Sequence, residues 1–287
     1  MRDDPRLTPA RLDLAAKHLE GKVSAARFVE GESRVVVAPH APLRRSPSHD
    51  APLDTEALMG ERVTVYETNE EGWTWGQLVD DGYVGWLPAE ALRAPGPAPT
   101  HKVAVPRTIV FPGPSIKLPP FEKLSFGCRV AVARVEGFLA VTAANGYVPT
   151  RHLALLGAHG PDPVAVAETF LHAPYLWGGK TSLGLDCSAL VQLSLTACGI
   201  PCPRDSDMQE RAVGAAVARE NLRRGDLMFW PGHVAILRDS ATLIHANAFH
   251  MAVAIEPIGD AVARIRAAGS EVTSVRRAAA ATVKPTR

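Results

Sequence analysis

The sequence predicts an α+β domain that follows two small all-β units and a short N-terminal helix. Short β runs separated by turn residues occur twice before residue 157, and a helical segment followed by two strands occurs after it. At 287 residues the chain has room for several small domains. The expected bounds are 1–32 for the helical segment, 33–94 and 100–157 for the β units, and 158–287 for the α+β domain.

The N-terminal segment carries the signals of one amphipathic helix. Thr8 and Pro9 suit the N-cap and the first helical position, and Gly21 suits a C-terminal stop. Apolar residues recur between them at helical spacing, namely Leu12, Ala15, Ala16 and Leu19. We therefore expect a short helix that packs against a later domain.

The two β units look like a duplicated module. The segment 60–63 (GERV) aligns with 127–130 (GCRV), and 82–84 (GYV) aligns with 146–148 (GYV). The offset between the two passes changes by only a few residues, as it does when loops of a repeat change length. The Pro-rich segment 95–99 predicts a stiff linker between the units.

Composition excludes several classes of protein. The net charge is +1, so no nucleic acid partner is implied, and no apolar run approaches the length of a membrane span. The first residues lack the apolar region of a secretory signal, which favours a cytoplasmic protein. The four cysteines show no disulfide framework. Cys198 and Cys202 have no second ligand pair nearby, so we expect no metal and no cofactor.

Cys187 is the strongest candidate for a reactive group. It lies at the start of an apolar segment without Pro or Gly, 188–198, which Gly199 ends. A thiol on the first turn of a helix meets unpaired N–H groups and the positive end of the helix dipole, and both favour the nucleophilic thiolate. The alternative is a buried structural cysteine, which is common for a lone cysteine.

A nucleophilic thiol needs a base, and two histidines follow at suitable places. His233 begins the apolar run HVAIL, and His245 ends the run ATLIH. The residues 238–240 between the runs suit a hairpin turn, so the runs are expected to pair as antiparallel strands. The pairing would bring the two rings together. One ring would accept the thiol proton, and the other would fix the tautomer of the first ring. Either histidine alone would more often be an ordinary strand residue.

These features resemble the NlpC/P60 cysteine peptidases over roughly 162–253, with the histidines after the cysteine as in the unpermuted members. One departure is Ala189, where the family usually has Gly. The β units resemble bacterial SH3-like barrels, with 82–88 (GYVGWLP) as the strongest local match. The matching positions in the last domain are Tyr175, Trp177-Gly178-Gly179, Gly184, Asp186-Cys187-Ser188, Leu190-Val191-Gln192, Pro203-Arg204-Asp205, Gly225-Asp226-Leu227, His233-Val234 and Ile244-His245-Ala246.

The resemblance implies a papain-like α+β fold and a set of catalytic roles. Cys187 would attack an amide carbonyl, His233 would accept the thiol proton, and His245 would orient His233. The oxyanion would lie at the backbone N–H of Cys187, and Tyr175 could add a hydroxyl donor. For Tyr175 the alternative is simple core packing.

Substrate-binding positions follow from the same resemblance. The carboxylate of Asp186 should repel a thiolate unless a cation compensates it, and a substrate ammonium group is a candidate. In relatives with N-terminal SH3-like domains, the positions of Asp186 and Ser188 are associated with the α-amine of an N-terminal L-alanine, and Tyr83 lies where the first barrel reaches toward it. Arg204 and Ser206 match positions that contact the carboxylate side of the substrate, although Arg204 could also be an ion-pair residue.

The implied function is a γ-D-glutamyl-L-diamino acid endopeptidase acting on murein peptides with a free N-terminal L-alanine, as in wall-peptide recycling. Two alternatives remain from the sequence: a non-catalytic protein that binds wall fragments through its barrels, and a related cysteine amidase or acyl-transfer enzyme on another peptide. The sequence leaves the oligomeric state, the third substrate residue and the acidic partner of the amine open.

Overall fold

The computed structural model describes residues 4–279, so the predicted domain limits at 1 and 287 lie outside the described residues. The chain forms two compact units that divide between Gly157 and Ala158. The first unit is almost entirely β. Its strands are β1 (Ala15–Ala16), β2 (Phe28–Val29), β3 (Glu32–Val36), β4 (His40–Arg44), β5 (Leu53–Leu58), β6 (Arg62–Thr68), β7 (Trp73–Leu78), β8 (Val84–Pro88), β9 (Leu92–Arg93), β10 (His101–Val103), β11 (Arg107–Val110), β12 (Glu122–Ser125), β13 (Arg129–Val130), β14 (Val132–Glu136), β15 (Leu139–Thr142), β16 (Tyr147–Pro149) and β17 (Leu153–Leu155).

The predicted N-terminal α-helix is wrong. The segment contains one 3₁₀ turn, Lys17–Leu19, and β1 pairs in parallel with β2. The apolar residue that the helix was expected to bury, Leu12, is 87% exposed. Leu14 is fully buried instead, in a cluster with Trp73, Trp75 and Trp86 of the first barrel.

Arg11 adds to the same packing. Its guanidinium lies over the rings of Trp75 and Trp86, at 4.4 and 4.9 Å from their centroids. It also forms an ion pair with Asp13. Helix propensity is a weak preference, and here the tertiary contacts of Leu14 and Arg11 outweigh it.

The two β units share a strand arrangement. The first is a seven-stranded sheet in the order β5-β4-β8-β7-β6-β3-β9. Within it β3 pairs with β6 and β9. In the second β unit, at 100–157, β10 pairs in the same way with β13 and β17. Gly60 and Gly127 precede the corresponding strands, and both have φ above 80°. A duplicated module accounts for these correspondences.

The second compact unit, which begins at Ala158, is mixed α and β. Its six-stranded sheet has the order β20-β25-β21-β22-β23-β24, and β18 and β19 form a small separate hairpin. Besides Lys17–Leu19, the 3₁₀ turns in residues 4–279 are Ala89–Ala91 and Thr150–His152 in the first compact unit and Arg219–Asn221 in the second. The elements of the second unit are α1 (Pro163–Glu168), β18 (Lys180–Thr181), β19 (Gly184–Leu185), α2 (Cys187–Ala197), α3 (Ser206–Ala212), β20 (Ala215–Ala216), β21 (Asp226–Trp230), β22 (His233–Leu237), β23 (Thr242–Asn247), β24 (Ala252–Pro257), α4 (Ile258–Ala267) and β25 (Ser274–Arg277).

The central helix α2 packs against β22 and β23. The predicted antiparallel pairing of these strands is confirmed, with Ile236 opposite Ile244. The predicted helix after Asp186 is confirmed as well, and it begins one residue earlier, at Cys187. The fold therefore places the start of α2 beside the strands that carry the two histidines.

Candidate active site

Asp186 starts the helix that carries the candidate nucleophile. Its backbone is extended, and its side chain accepts a hydrogen bond of 2.8 Å from the N–H of Ala189, which is N-cap geometry. The other carboxylate oxygen accepts from the N–H of Gly178 at 3.0 Å. Cys187 is consequently fixed at the first position of α2.

Burial, however, dominates the ionisation of this thiol. Cys187 is 6% exposed, and burial raises the pKa of its thiol to about 12, with the Asp186 carboxylate adding to the shift. The backbone N–H groups of Val234 and Ser188 and the charge of Arg204 act in the opposite direction. The prediction that the helix start makes this group a thiolate is therefore wrong for the free protein. Desolvation of the charged form outweighs the helix N-terminus.

Asp186, Ser188 and Arg204 form one buried network beside Cys187. One terminal nitrogen of Arg204 donates to Asp186 Oδ1 at 2.9 Å and to Ser188 Oγ at 2.8 Å. The other donates to Asp186 Oδ2 at 2.8 Å and to the carbonyl of Gly179 at 3.2 Å. The cation that compensates Asp186 is thus a residue of the chain itself.

The network bears on the predicted roles of Arg204 and Asp186. Arg204 is 1% exposed and both its terminal nitrogens have protein partners, so it is not an open site for a substrate carboxylate. Asp186 accepts from Ser188, Ala189, Gly178 and Arg204, so its charge is compensated within the chain, and its predicted contact with a substrate ammonium group stays a prediction. The ion-pair alternative for Arg204 is the one that this geometry fits.

Two other predicted substrate contacts lie in different surroundings. Ser206 is half-buried at the first position of α3. Tyr83 is 3% exposed and belongs to the apolar core of the first barrel, with neighbours such as Leu78 and Leu87. The substrate contact of Tyr83 stays a prediction.

The two histidines form a hydrogen-bonded pair. Nε2 of His233 lies 2.8 Å from Nδ1 of His245. The register explains the contact, since Ile236 opposite Ile244 sets the strands so that both rings project from the same face. Trp230 packs beside the pair, with its ring centroid 5.5 Å from that of His233.

The chain of contacts continues beyond the two histidines. Nε2 of His245 lies 2.7 Å from Oε1 of Glu256, and Arg264 forms an ion pair with the same oxygen. Sequence reasoning missed both residues. The alternating segment 252–257 on the strand after His245 was the available signal, because it places Glu256 on one face of a neighbouring strand.

Both histidines are neutral at ordinary pH. Burial lowers the pKa of His233 to about 3, and the charges of His245 and Arg264 lower it further while Glu256 opposes them. Burial also lowers the pKa of His245, against the effect of the hydrogen bond to Glu256. The resting site therefore pairs a neutral thiol with a neutral imidazole.

Tyr175 is close enough to the nucleophile to interact with it electrostatically. Burial raises the pKa of its hydroxyl to about 12, and the charges of Cys187 and Asp186 add to the shift. The residue forms a parallel bridge with Leu185, just before the start of α2. The phenol is therefore neutral, as a hydrogen-bond donor to an oxyanion must be.

One trio in the described chain has metal-ligand spacing. Ligand atoms of His245, His250 and Glu256 lie within 4.8 Å of one another. His245 and Glu256 already bind each other, so the trio is part of the histidine chain. Cys198, Cys202 and the other two cysteines are buried, and none of the four is in a disulfide within residues 4–279.

Comparison with known proteins agrees with this geometry. Residues 172–268 match the NlpC/P60 family, and residues 43–92 match the bacterial dipeptidyl-peptidase Sh3 domain. The second compact unit therefore contains an NlpC/P60 domain, and the first contains an SH3-like domain. The fold resemblance stated from the sequence is thereby confirmed, including an N-terminal SH3-like domain.

Two curated relatives from Bacillus carry the name gamma-D-glutamyl-L-lysine dipeptidyl-peptidase. The protein of Bacillus cereus is 27% identical over 72% of this chain and 71% of its own length. That of Bacillus subtilis is 28% identical over 63% of this chain and 65% of its own length. A crystal structure of a Bacillus cereus NlpC/P60 family protein has a TM-score of 0.74 at 22% identity, and covers 86% of this chain and 99% of that one. That similarity supports the fold.

Within residues 4–279, none of the helices combines the length and the apolar character that a membrane crossing requires.

Proposed function

We propose that this protein is a cysteine endopeptidase that cleaves the γ-D-glutamyl–diamino acid bond of murein peptides with a free N-terminal L-alanine. The observation that carries the proposal is Cys187 at the first position of α2, which packs against the strands holding the hydrogen-bonded His233 and His245. The names of the two Bacillus relatives support a bond that follows a γ-D-glutamyl residue, and the resemblance described from the sequence supplies the murein peptide.

The neutral thiol and imidazole define the order of proton transfer. His233 accepts the proton of Cys187 as the sulfur attacks the amide carbonyl carbon, because neither partner is charged beforehand. The resulting imidazolium gives this proton to the leaving amine as the C–N bond breaks. Water then hydrolyses the thioester, with His233 again accepting a proton, and the free thiol is restored.

We assign oxyanion stabilisation to two donors near the sulfur. One is the backbone N–H of Cys187 at the start of α2, and the other is the neutral hydroxyl of Tyr175. The buried network of Asp186, Ser188 and Arg204 would hold the first of these donors in place by fixing the helix start. In this account these three residues position the nucleophile.

The free amine and the cellular role belong to the same proposal. A requirement for an unblocked L-alanine would restrict the enzyme to peptides already released from the glycan. This restriction suits a recycling enzyme in the cytoplasm.

The test is digestion of L-Ala-γ-D-Glu-diaminopimelate and of its N-acetylated form, followed by mass spectrometry. We expect the wild type to release L-Ala-γ-D-Glu from the free peptide and to leave the acetylated one intact. Cys187→Ser should cleave neither. Equal rates on both peptides would remove the amine requirement, and cleavage by Cys187→Ser would remove the proposed nucleophile.

A further inference from the structure

The contact between His245 and Glu256 follows from strand register. His245 on β23 lies opposite Ala254 on β24, and Glu256 lies two residues further along the same strand. Side chains two apart on a strand share a face, so Glu256 is the diagonal neighbour of His245 and is long enough to reach it. The observed separation of 2.7 Å is a short hydrogen bond to a carboxylate.

Glu256 is held as an ionised acceptor. Burial opposes its ionisation, yet the hydrogen bond to His245 and the ion pair with Arg264 together keep the pKa of this carboxyl below its ordinary value. Arg264 comes from α4, and its guanidinium packs over the ring of Phe249 at 4.4 Å. An ionised carboxylate can only accept hydrogen bonds, so the nitrogen of His245 that faces it must carry a proton.

This single constraint fixes the protons on both rings. With Nε2 of His245 protonated and the ring neutral, Nδ1 of His245 is an acceptor. Nε2 of His233 faces that acceptor at 2.8 Å and must be the donor. Nδ1 of His233 is then unprotonated and is the ring nitrogen that can accept the proton of the thiol.

We propose that Glu256, held by Arg264, is a positioning residue that sets His245 and His233 in their Nε2–H tautomers and so leaves Nδ1 of His233 as the base. The proposal rests on the thiol chemistry proposed above. The carboxylate also stabilises positive charge. It lies at the end of the hydrogen-bonded series His233–His245–Glu256, so it favours the imidazolium that forms when His233 accepts the thiol proton. The groups that face the histidines are Glu256 on β24, Arg264 on α4 and His250 in the turn between β23 and β24.

Glu256→Gln tests the role, since an amide can either donate or accept and no longer dictates the tautomer. We expect kcat to fall about 10- to 100-fold, the loss typical of carboxylates that orient metal-bound histidines, with KM little changed. Glu256→Asp, which keeps a carboxylate, should recover part of the loss. The matched control is Glu168→Gln, because Glu168 accepts from Arg238 at 2.6 Å in the same unit but does not contact the histidines.

A readout on the thiol separates this proposal from the choice of substrate. The rate of Cys187 alkylation by iodoacetamide at neutral pH should fall in Glu256→Gln and remain at the wild-type value in Glu168→Gln. A wild type that alkylates but cleaves no murein peptide would overturn the substrate and leave this inference intact. Equal alkylation rates and equal kcat in Glu256→Gln and wild type would overturn it, as would an equal loss in Glu168→Gln.

The wild type also offers a test that needs no variant. Nitrogen-15 NMR of the histidine rings distinguishes protonated from unprotonated nitrogens. We expect Nε2 protonated and Nδ1 unprotonated in both His233 and His245. The opposite tautomer of His245 would overturn the proposal.

Discussion

Two charged networks flank Cys187, and each contains one arginine and one carboxylate. On one side Arg204 binds Asp186 directly through both terminal nitrogens, and the guanidinium is 1% exposed. In the other network the Arg264–Glu256 pair reaches the base His233 through one imidazole ring, that of His245. Arg264 is more open, since a quarter of its side chain is exposed.

The difference between them is one of function. The Asp186–Arg204 network joins the N-cap of α2 to the backbone of Gly178 and to a buried guanidinium, and so holds the start of that helix. The second network contains two histidines whose protons can move. The same type of ion pair therefore fixes a helix in one place and sets the proton positions of a base in the other. The following predictions separate the two roles.

The largest effect should come from breaking the histidine network at its catalytic end. His233→Ala removes the base, and we expect kcat to fall about 100- to 10,000-fold with little loss of stability. His159→Ala is the control, because His159 is an exposed histidine of the same unit. Steady-state kinetics and thermal unfolding of both variants measure the two quantities. A His233→Ala enzyme with wild-type kcat would contradict its assignment as the base.

Breaking the Asp186–Arg204 network should lower the free energy of unfolding. Arg204→Met leaves the carboxylate of Asp186 buried without its cation, and breaking such a pair costs about 3–5 kcal/mol of unfolding free energy. Arg134→Met, at an exposed ion pair with Glu136, should change stability little. Denaturant unfolding measures both. A wild-type stability in Arg204→Met would show that the network does not hold the helix start.

The pH dependence of the unfolding free energy should depend on His233, which belongs to the histidine network. The pKa of this ring is about 3 in the folded protein against an ordinary value of 6.5, so the unfolded chain takes up a proton first as the pH falls. Stability should therefore decline between pH 6.5 and 3, and His233→Asn should lose this part of the decline. Unfolding free energies of the two proteins at a series of pH values test this. An identical pH dependence would show that His233 is not held neutral by burial.

A small effect should follow from Ala189→Gly, at the position where the resembling family usually has glycine. Ala189 is fully buried, and its N–H is the capping donor to Asp186. Glycine keeps that N–H but loses helix propensity, so we expect a loss of about 1 kcal/mol and unchanged kcat. Denaturant unfolding and kinetics check this. A large fall in kcat would mean that the methyl group itself shapes the site.

Local sequence signals account for the parts of the site that could be predicted. Cys187 lies at a helix start marked by a capping residue, and the strands of His233 and His245 are short-range partners across one hairpin. Glu256 was missed because its role depends on the register of a further strand and on an arginine from α4. A single glutamate near the end of an apolar strand carries no such information by itself.

Burial was the quantity that sequence reasoning could not supply. Arg204 has the same chemistry whether it faces a substrate or an internal carboxylate, and only the fold shows that it is enclosed. The thiol of Cys187 was expected to ionise easily for the same reason, because the sequence shows the helix start but not the desolvation. Leu14 and the tryptophans of the first barrel likewise decide the N-terminal segment through contacts distant in sequence.

The most direct test of the account is titration of the wild type with iodoacetamide while hydrolysis of L-Ala-γ-D-Glu-diaminopimelate is followed. Cys128, Cys198 and Cys202 are buried as Cys187 is but are not part of the proposed catalytic set, so they serve as internal controls in the peptide map. We expect one modification, on Cys187, and a loss of activity in proportion to it. Full activity in protein that is completely alkylated at Cys187 would contradict the central claim.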